Sequence, residues 1–255
     1  MDPSPSAIVA PHQPGGNQTG STFRGGILTG IRTLARDTRL YTFDLDAPLP
    51  FAAGQFVNLT IPGASPRPER SYSVWSDPID PSRLEFAIKL FPGGQASEYL
   101  RDAPLGTRFT LGGPHGHFGL RDQETDDEVT WMIATSTGLA PFHSMLSVAA
   151  RTGDRRRFRL LFGCRDVGDV FALARLDALC GQLDLEYTVC LSQPAVDPPA
   201  APFRFRAGRV TAFLPAVVVT DRYYLCGNGG MIADTRTQLK AAGADRKRIH
   251  FEKYW

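Results

Sequence analysis

The chain has 255 residues, of which 42% are hydrophobic and 21% are charged. These fractions lie near the averages of globular proteins and exclude a fibrous or wholly disordered class. Lysine and arginine number 28 against 26 for aspartate and glutamate, a balance that gives no reason to expect a nucleic-acid partner. The length corresponds to one large or two small domains.

Membrane, export and metal-binding signals are absent from the sequence. No run approaches the ~18 to 20 consecutive apolar residues of a membrane helix, and the N-terminus lacks the basic and apolar regions of a signal peptide. We therefore expect a cytoplasmic protein without a membrane partner. The four cysteines, Cys164, Cys180, Cys190 and Cys226, lack CxxC or CxxxxCxxC spacing, so we predict no metal and no iron-sulfur cluster.

The first half of the chain has the pattern of a small β domain. Residues 1–22 are rich in Pro, Gly, Ser, Asn and Gln, and we predict a loose tail there. From residue 23 to 125, short apolar or alternating runs between glycines and prolines predict an antiparallel barrel or sandwich. The predicted strands are 26–34, 40–45, 56–61, 71–75, 84–90 and 107–111, with one short helix over 96–100.

The pattern of predicted strands and helices changes after the acidic, turn-prone segment 122–127. From residue 126 to 255, apolar strands alternate with helix-length segments, which predicts a parallel sheet covered on both faces and able to bind nucleotides at its strand ends. The predicted strands are 129–134, 158–162, 185–190 and 223–226, and the predicted helices are 141–150, 170–183 and 231–242. The expected fold is therefore a two-domain β + α/β protein.

The segment Arg70-Ser71-Tyr72-Ser73 places a cation, an aromatic ring and small hydroxyl groups along one predicted strand. Arg70 is suited to pair with a phosphate, Tyr72 to stack on a flat ring, and Ser73 to hydrogen-bond the edge of that ring. Taken alone, the segment reads more readily as an ordinary edge strand with an exposed arginine.

A glycine-rich turn over residues 91–97 opens the short helix of the first half. Its backbone amides and Ser97 are suited to hold a pyrophosphate at the helix N-terminus. Gly94 and Ser97 read equally well as a turn residue and a helix cap. The next turn, residues 113–118, carries His115 and His117; without a carboxylate or cysteine nearby, this pair favours loop side chains over a metal site.

In the second half, a strand runs into the hydroxyl-rich turn 135–138 and then into a helix begun by Pro141. Such a turn offers backbone amides, hydroxyl groups and the positive end of a helix to a diphosphate. Arg165 and Arg209 follow later strands and are suited to pair with an adenosine phosphate, although surface arginines are common.

The last predicted strand ends in Cys226-Gly227-Asn228-Gly229-Gly230-Met231. This sequence puts a thiol where the sheet meets its ligand cleft, followed by glycines that let a flat ring approach. Taken alone, Cys226 reads as a buried apolar residue. The chain then finishes in Phe251-Glu252-Lys253-Tyr254-Trp255, a carboxylate between aromatic residues.

In this order and spacing, the motifs resemble those of the ferredoxin-NADP reductase superfamily over about residues 23–255. The resemblance implies an FAD-binding β-barrel domain at 23–125 and an NAD(P)-binding α/β domain at 126–255. It also implies an enzyme that takes hydride from NADPH or NADH through FAD. We expect the electrons to pass singly to ferredoxin, flavodoxin or an oxygenase component on a separate chain. The alternatives are a stand-alone diaphorase or flavin reductase, and a regulatory subunit of a larger complex; nothing demands more than a monomer.

The resemblance also assigns roles to individual residues. Ser73, Cys226 and Glu252 are expected at the contact between flavin and nicotinamide, and Tyr254 or Trp255 is expected to cover the flavin and move aside for the nicotinamide. The residues expected to bind FAD are Arg70, Ser71, Tyr72, Ser73, Ala87, Ile88, Lys89, Gly93, Gly94, Gln95, Ala96, Ser97, Thr137, Tyr254 and Trp255. The residues expected to bind NAD(P)H are Thr135, Ser136, Thr137, Gly138, Arg165, Gln193, Arg209, Cys226, Gly227, Asn228 and Met231.

Two positions depart from the family pattern. Ser136 replaces a usual glycine, which predicts a narrower diphosphate loop. Gln193 stands where NADP-specific members commonly carry an arginine, which leaves the pocket around Arg165 and Arg209 one cation short. The sequence therefore leaves the choice between NADH and NADPH open.

Overall fold

The computed structural model describes residues 22–63, 68–194 and 204–254. The predicted tail over residues 1–22 lies outside the described residues except for Thr22, which begins the first strand. Trp255 also lies outside them. Among the helices of the described segments, none is long and apolar enough to cross a membrane.

The first half forms a six-stranded antiparallel sheet in the order β4-β3-β6-β1-β2-β5. Its strands are β1 (Thr22–Ala35), β2 (Thr38–Leu45), β3 (Phe56–Thr60), β4 (Glu69–Ser73), β5 (Arg83–Lys89) and β6 (Arg108–His115), with helix α1 (Gln95–Asp102) between β5 and β6 in the chain. The outer strands meet just beyond β4, where Trp75 N donates to Glu85 O at 2.8 Å. The predicted antiparallel barrel with one short helix is confirmed.

Aromatic side chains fill the barrel and hold α1 against it. Phe43 packs edge to face on Phe86 and Phe109, with ring centroids 5.8 and 5.2 Å away. The hydroxyl group of buried Tyr41 donates to Leu100 O at 2.9 Å. Because Leu100 lies in α1, this bond fixes the helix that the glycine-rich turn begins.

The second half forms a six-stranded parallel sheet in the order β10-β9-β8-β7-β11-β12. Its strands are β7 (Val129–Thr135), β8 (Arg157–Cys164), β9 (Leu185–Leu191), β10 (Phe205–Ala207), β11 (Arg222–Asn228) and β12 (Ile249–Tyr254). Its helices are α2 (Leu139–Thr152), α3 (Leu173–Cys180) and α4 (Gly229–Ala241). The predicted parallel sheet is confirmed, and β10 and β12 are additional to the predicted strands.

Helices cover both faces of this sheet. Met132 packs with α2 and α3 in one apolar cluster, whereas the next residue, Ile133, packs with α4 in another. This alternation is what a strand buried on both faces requires. The strand order reverses between β7 and β11, and such a reversal opens a ligand crevice at the carboxyl ends of the strands.

The segment between β6 and β7 contains the predicted domain boundary at residue 125 and ends in a buried ionic network. Glu128 is fully buried and accepts hydrogen bonds from Arg222 Nε at 2.9 Å and Arg248 Nη1 at 3.2 Å. Glu124 accepts another from Arg222 at 3.1 Å. The network ties this segment to β11 and to the turn before β12.

Replacing Glu128 by alanine is expected to lower the free energy of unfolding by about 3 kcal/mol, because Arg222 and Arg248 would lose their buried partner. Burial acts to raise the pKa of Glu128, but the hydrogen bonds from Arg222, the Glu124 amide and Arg248, together with the charge of Arg222, outweigh it and hold the pKa below its usual value. A carboxylate with a lowered pKa stabilises the fold above its unfolded-state pKa, and this contribution is lost as the pH falls through the folded-state pKa. Urea unfolding at neutral and acid pH measures both effects.

The control is Glu124→Ala, because the Glu124 side chain is 60% exposed and its ion pair with Arg222 is screened by water. We expect the Glu128 variant to lose more stability than the Glu124 variant at neutral pH, and the difference to shrink in acid. Equal losses for the two variants would contradict the account of the network.

Candidate functional site

A cleft of about 980 Å³ lies between the barrel and the parallel sheet. The barrel side consists of β4, the end of β5 and the turn that begins α1, and the sheet side consists of the carboxyl ends of β7, β8, β9 and β11. The predicted site residues that line the cleft are Arg70, Tyr72, Ser73, Ala87, Ile88, Lys89, Gly93, Gly94, Gln95, Ala96, Ser97, Thr135, Ser136, Thr137, Arg165, Gln193, Arg209, Gly227, Asn228, Met231 and Tyr254. The fold therefore brings the predicted FAD residues and the predicted nucleotide residues to one cavity.

The remaining predicted residues in the described chain, Ser71, Gly138, Cys226 and Glu252, do not line the cleft. The Ser71 hydroxyl donates to Asn58 Oδ1 at 2.6 Å on the neighbouring strand β3. Gly138 packs against the backbone of Cys226, which is fully buried, and Glu252 is bonded to Ser73. A direct ligand contact for these side chains stays a prediction, as it does for Trp255, which lies outside the described residues.

Ser73 ends β4 and joins two side chains of the terminal strand. The Tyr254 hydroxyl donates to Ser73 Oγ at 2.6 Å, and Ser73 Oγ donates to Glu252 Oε1 at 2.7 Å. Because β12 pairs with β11 in parallel and places Glu252 opposite Cys226, the last strand gathers all the predicted catalytic residues beside the end of β4.

Burial controls the protonation of this group. It raises the pKa of Glu252 to about 7, and the hydrogen bond from Ser73 opposes the shift only in part. Burial also raises the pKa values of Tyr254 and Cys226 well above their ordinary values. Tyr254 and Cys226 are therefore neutral at neutral pH, and Cys226 shapes the site as a thiol. Glu252, in contrast, changes its protonation state near neutral pH.

Glu252 is expected to make folding stability depend on pH. Its folded-state pKa of about 7 exceeds the ordinary value of 4.5, so its contribution is fully present below the unfolded-state pKa and is lost as the pH rises through about 7. A shift of this size corresponds to on the order of 3 kcal/mol. We expect the midpoint temperature of thermal unfolding to decrease as the pH is raised from about 5 to about 8. In Glu252→Gln this decrease should be much smaller. Parallel curves for the two proteins would contradict this expectation.

The turn before α1 leaves backbone amides available to an anion. Gly93 has a φ of 74°, in the left-handed region that favours glycine. Gly94 is the N-cap of α1, and its own amide donates to Phe91 O at 3.3 Å, whereas the amides of the first helical turn that follows have no intrahelical partner. Ser97 Oγ accepts from Phe91 N at 3.0 Å, which leaves the hydroxyl proton of Ser97 free to donate. This set of donors at a helix N-terminus fits the pyrophosphate of FAD.

The nucleotide side of the cleft depends on close backbone contact between the turn 135–138 and the end of β11. Thr135 Oγ1 accepts from Asn228 N at 2.9 Å. A Cβ atom on Gly138 would lie 2.3 Å from Cys226 O, and one on Gly227 would lie 2.2 Å from Thr135 Oγ1. The two glycines therefore let the turn and the strand end approach each other.

Ser136 adopts a φ of 52°, although it is not a glycine. Left-handed backbone is unfavourable for a residue with a Cβ atom, which gives a physical reason for the glycine usual at this position. The turn keeps this conformation with serine present. A narrower diphosphate loop stays a prediction.

The far end of the cleft carries the residues predicted for the adenosine phosphate. Arg165 Nε donates to Asp169 Oδ2 at 2.9 Å, and Lys89 Nζ of the barrel lies 3.7 Å from Asp169 Oδ1. Gln193 N donates to Arg165 O at 2.7 Å. Asp169 thus orients Arg165 through Nε and leaves its terminal nitrogens for a ligand.

Several further cleft residues were not among those predicted to contact a ligand. They are Asp37, Leu90, Phe91, Pro92, Ala140, Gly163, Cys164, Asp169, Cys190, Ser192, Val210, Thr211, Gly230 and Asp234. Phe91, Pro92 and Gly230 lie within predicted motifs and most of the others lie beside one, so nearness in sequence was the available signal. Asp37 lies in the turn between β1 and β2 and had no such signal.

The site agrees with the families to which the chain is similar. A model of the oxidoreductase FAD-binding domain matches residues 26–119, and one of the oxidoreductase NAD-binding domain matches residues 132–237. Ferredoxin--NADP reductase B of Sorangium cellulosum is 31% identical over 215 residues, which cover 80% of this chain and 85% of that protein. The reductase component of propane 2-monooxygenase from Rhodococcus jostii is 29% identical over 209 residues, which cover 80% of this chain and 55% of that protein. This chain thus spans about half the length of the oxygenase reductase.

Solved structures share the fold over most of the chain. A cytochrome P450 reductase from Amycolatopsis superposes with a TM-score of 0.81 at 26% identity, covering 91% of this chain and 70% of that one. A ferredoxin NADP+ reductase from Neisseria gonorrhoeae with bound FAD and NADP superposes with a TM-score of 0.77 at 21% identity, covering 91% of this chain and 98% of that one.

Proposed function

Because this chain belongs to the ferredoxin-NADP reductase superfamily and is an FAD-dependent oxidoreductase that uses NAD(P)H, we propose that it passes electrons from NAD(P)H to ferredoxin, flavodoxin or an oxygenase component on a separate chain. In enzyme terms, it is a ferredoxin(flavodoxin)-NAD(P)+ reductase. The observation that carries the proposal is the single cleft that joins Ser73 to the nucleotide turn 135–138. A monomeric state and a cytoplasmic location complete the proposal.

The residues of the cleft fit FAD as a resident cofactor. Arg70 supplies a cation, Tyr72 supplies a ring, and the first turn of α1, which follows Gly93 and Gly94, supplies backbone amides without an intrahelical partner on the barrel side. When bound, FAD accepts two electrons as hydride and releases them one at a time, which nicotinamide does poorly. The protein contributes placement and control of a proton.

That proton lies on the hydrogen-bonded series from Tyr254 through Ser73 to Glu252. With Glu252 ionised, the Ser73 hydroxyl donates to the carboxylate. Once Glu252 is protonated, its carboxyl group can donate to Ser73 Oγ. The Ser73 hydroxyl is then free to donate into the cleft, which Ser73 lines. Protonation of Glu252 thereby changes what Ser73 offers to a ligand.

The relatives support a separate acceptor. One is named a ferredoxin--NADP reductase and another the reductase component of a monooxygenase. The cysteine spacing in this chain matches neither a zinc nor an iron-sulfur motif. The names of the two relatives are thus the support for an acceptor on another polypeptide.

The test is turnover with defined acceptors. The purified protein is expected to keep FAD through gel filtration and, with NADH or NADPH present, to reduce ferredoxin or flavodoxin faster than free FMN. Loss of the flavin during filtration, together with faster reduction of free FMN than of any protein carrier, would overturn the proposal in favour of a free-flavin reductase.

A further inference from the structure

Helix α2 begins directly after the nucleotide turn and reaches the barrel just beyond β4. Two residues of its buried face, His143 and Ser144, are 3% and 0% exposed. Neither has a part in the function proposed above. Both contact the segment that follows Ser73.

These contacts join side chains of α2 to backbone carbonyl groups of the barrel. His143 Nδ1 lies 2.9 Å from Trp75 O, and Ser144 Oγ donates to Ser76 O at 2.7 Å. Burial lowers the pKa of His143 to about 4, so the ring is neutral at neutral pH. Because a carbonyl oxygen only accepts, the ring proton lies on Nδ1.

Ring stacking and an ion pair extend the same contact. The imidazole of His143 stacks on the indole of Trp75, with centroids 3.8 Å apart and planes 10° from parallel. At the other end of α2, Arg151 makes paired hydrogen bonds of 3.0 Å each to the Asp77 carboxylate. One helix therefore holds three successive barrel residues.

We propose that His143 and Ser144 are positioning residues, which hold Ser73 at a fixed place relative to the nucleotide turn for hydride transfer. Trp75 is separated from Ser73 by a single residue, and α2 continues directly from Gly138. A shift of one half of the cleft against the other would take these hydrogen bonds from the buried carbonyl group of Trp75 and the partly buried carbonyl group of Ser76. The inference rests on the proposed function.

The rate of hydride transfer is sensitive to such a shift. A displacement of about 1 Å between reacting groups costs up to about 100-fold in rate, even when its origin lies away from the chemistry. Binding of the outer parts of FAD and of the nucleotide depends on other residues, the turn before α1 and Arg165 among them. A positioning role therefore predicts a loss in the limiting rate with little change in affinity.

The experiment compares Ser144→Ala with Ser147→Ala in the FAD-loaded protein. Ser147 is a matched control because it lies on the same helix and its hydroxyl donates to His143 O at 2.8 Å within α2. We expect Ser144→Ala to lower the limiting rate of flavin reduction at least tenfold, about 1.4 kcal/mol in the barrier, with unchanged FAD content and nucleotide KM. Ser147→Ala should keep the wild-type rate.

A second pair of variants tests His143. The His143→Asn amide can donate near the position of Nδ1, so this variant should keep more of the limiting rate than His143→Ala. If the alanine variant does not fold, Ser144→Ala and His143→Asn still decide the question. A wild-type limiting rate in Ser144→Ala, or a limiting rate in His143→Asn no higher than in folded His143→Ala, would overturn the proposal.

Hydrogen exchange gives a readout that does not depend on turnover. The amides of Val74 and Trp75 donate to Gln55 O and Glu85 O at 3.0 and 2.8 Å, and they report on the segment that α2 holds. We expect Ser144→Ala to speed their exchange and Ser147→Ala to leave it unchanged; equal exchange in the two variants would contradict the positioning role. If the wild-type protein fails to reduce its flavin, the proposed function fails. The hydrogen-exchange comparison still tests whether α2 holds the segment after Ser73.

Discussion

Replacing Ser73 by alanine is expected to slow reduction of the bound flavin by NAD(P)H by about 100-fold while FAD stays bound. The hydroxyl group of Ser73 accepts from Tyr254 and donates to Glu252, so its removal leaves both without this partner. It also removes the hydrogen bond that lowers the pKa of Glu252, so the pKa should rise further. Anaerobic stopped-flow reduction across a range of pH values measures both effects.

Ser82→Ala is the control for Ser73. Ser82 belongs to the same β domain, but its hydroxyl is bonded to Asp80 and it does not line the cleft. This variant should reduce its flavin at the wild-type rate. Wild-type rates in the Ser73 variant, or equal losses in both variants, would show that the hydroxyl group of Ser73 has no special part in the reaction.

Replacing Gly138 by alanine is expected to weaken nucleotide binding by about 10- to 100-fold. The added Cβ atom would lie 2.3 Å from Cys226 O and 2.8 Å from Gly227 Cα. Both are backbone atoms, so relief requires the turn or the end of β11 to move. Calorimetric titration with NADH and NADPH measures the affinity, and thermal unfolding shows the cost to the fold.

Gly119→Ala provides the comparison. A Cβ atom there would lie 3.6 Å from Ala53 O, an ordinary contact that requires no movement. We expect wild-type nucleotide affinity in this variant. Wild-type affinity in the Gly138 variant would contradict the requirement for close approach at the nucleotide turn.

Much of the fold is predictable from the sequence because its strands are apolar runs and its turns carry glycine or proline. The strand β12 is different: it contains His250, Glu252 and Lys253, and among the described strands only β11 is its neighbour in the sheet. A strand at a sheet edge need not be apolar on both sides, so it lacks the signal of a buried parallel strand. The strand β10 was not predicted because it spans only Phe205–Ala207.

Helix ends depend on backbone geometry that composition does not show. The helix predicted over 170–183 spans only Leu173–Cys180. Ala172 has a φ of 65°, so helix α3 cannot extend toward the N-terminus beyond Leu173. Gly181 caps its C-terminal end. Nothing in the type of residue 172 indicates a left-handed conformation, since alanine favours helix.

For the site, the sequence predicts the motifs but not their contacts. Ser73 and Glu252 are separated by 179 positions and still share a hydrogen bond, because β12 adds to the sheet beside β11. The link from Lys89 through Asp169 to Arg165 likewise joins the two halves of the chain. Such pairings follow from topology, and a motif read along the chain carries no information about them.

The most direct test of the central claim is anaerobic titration of the FAD-loaded protein with NADH and, separately, with NADPH, followed by flavin absorbance. A single cleft that holds both groups predicts that at least one nucleotide reduces the bound flavin completely, with about one nucleotide consumed per flavin because hydride carries two electrons. If the bound flavin stays fully oxidised in the titration with NADH and also in the titration with NADPH, the claim is contradicted.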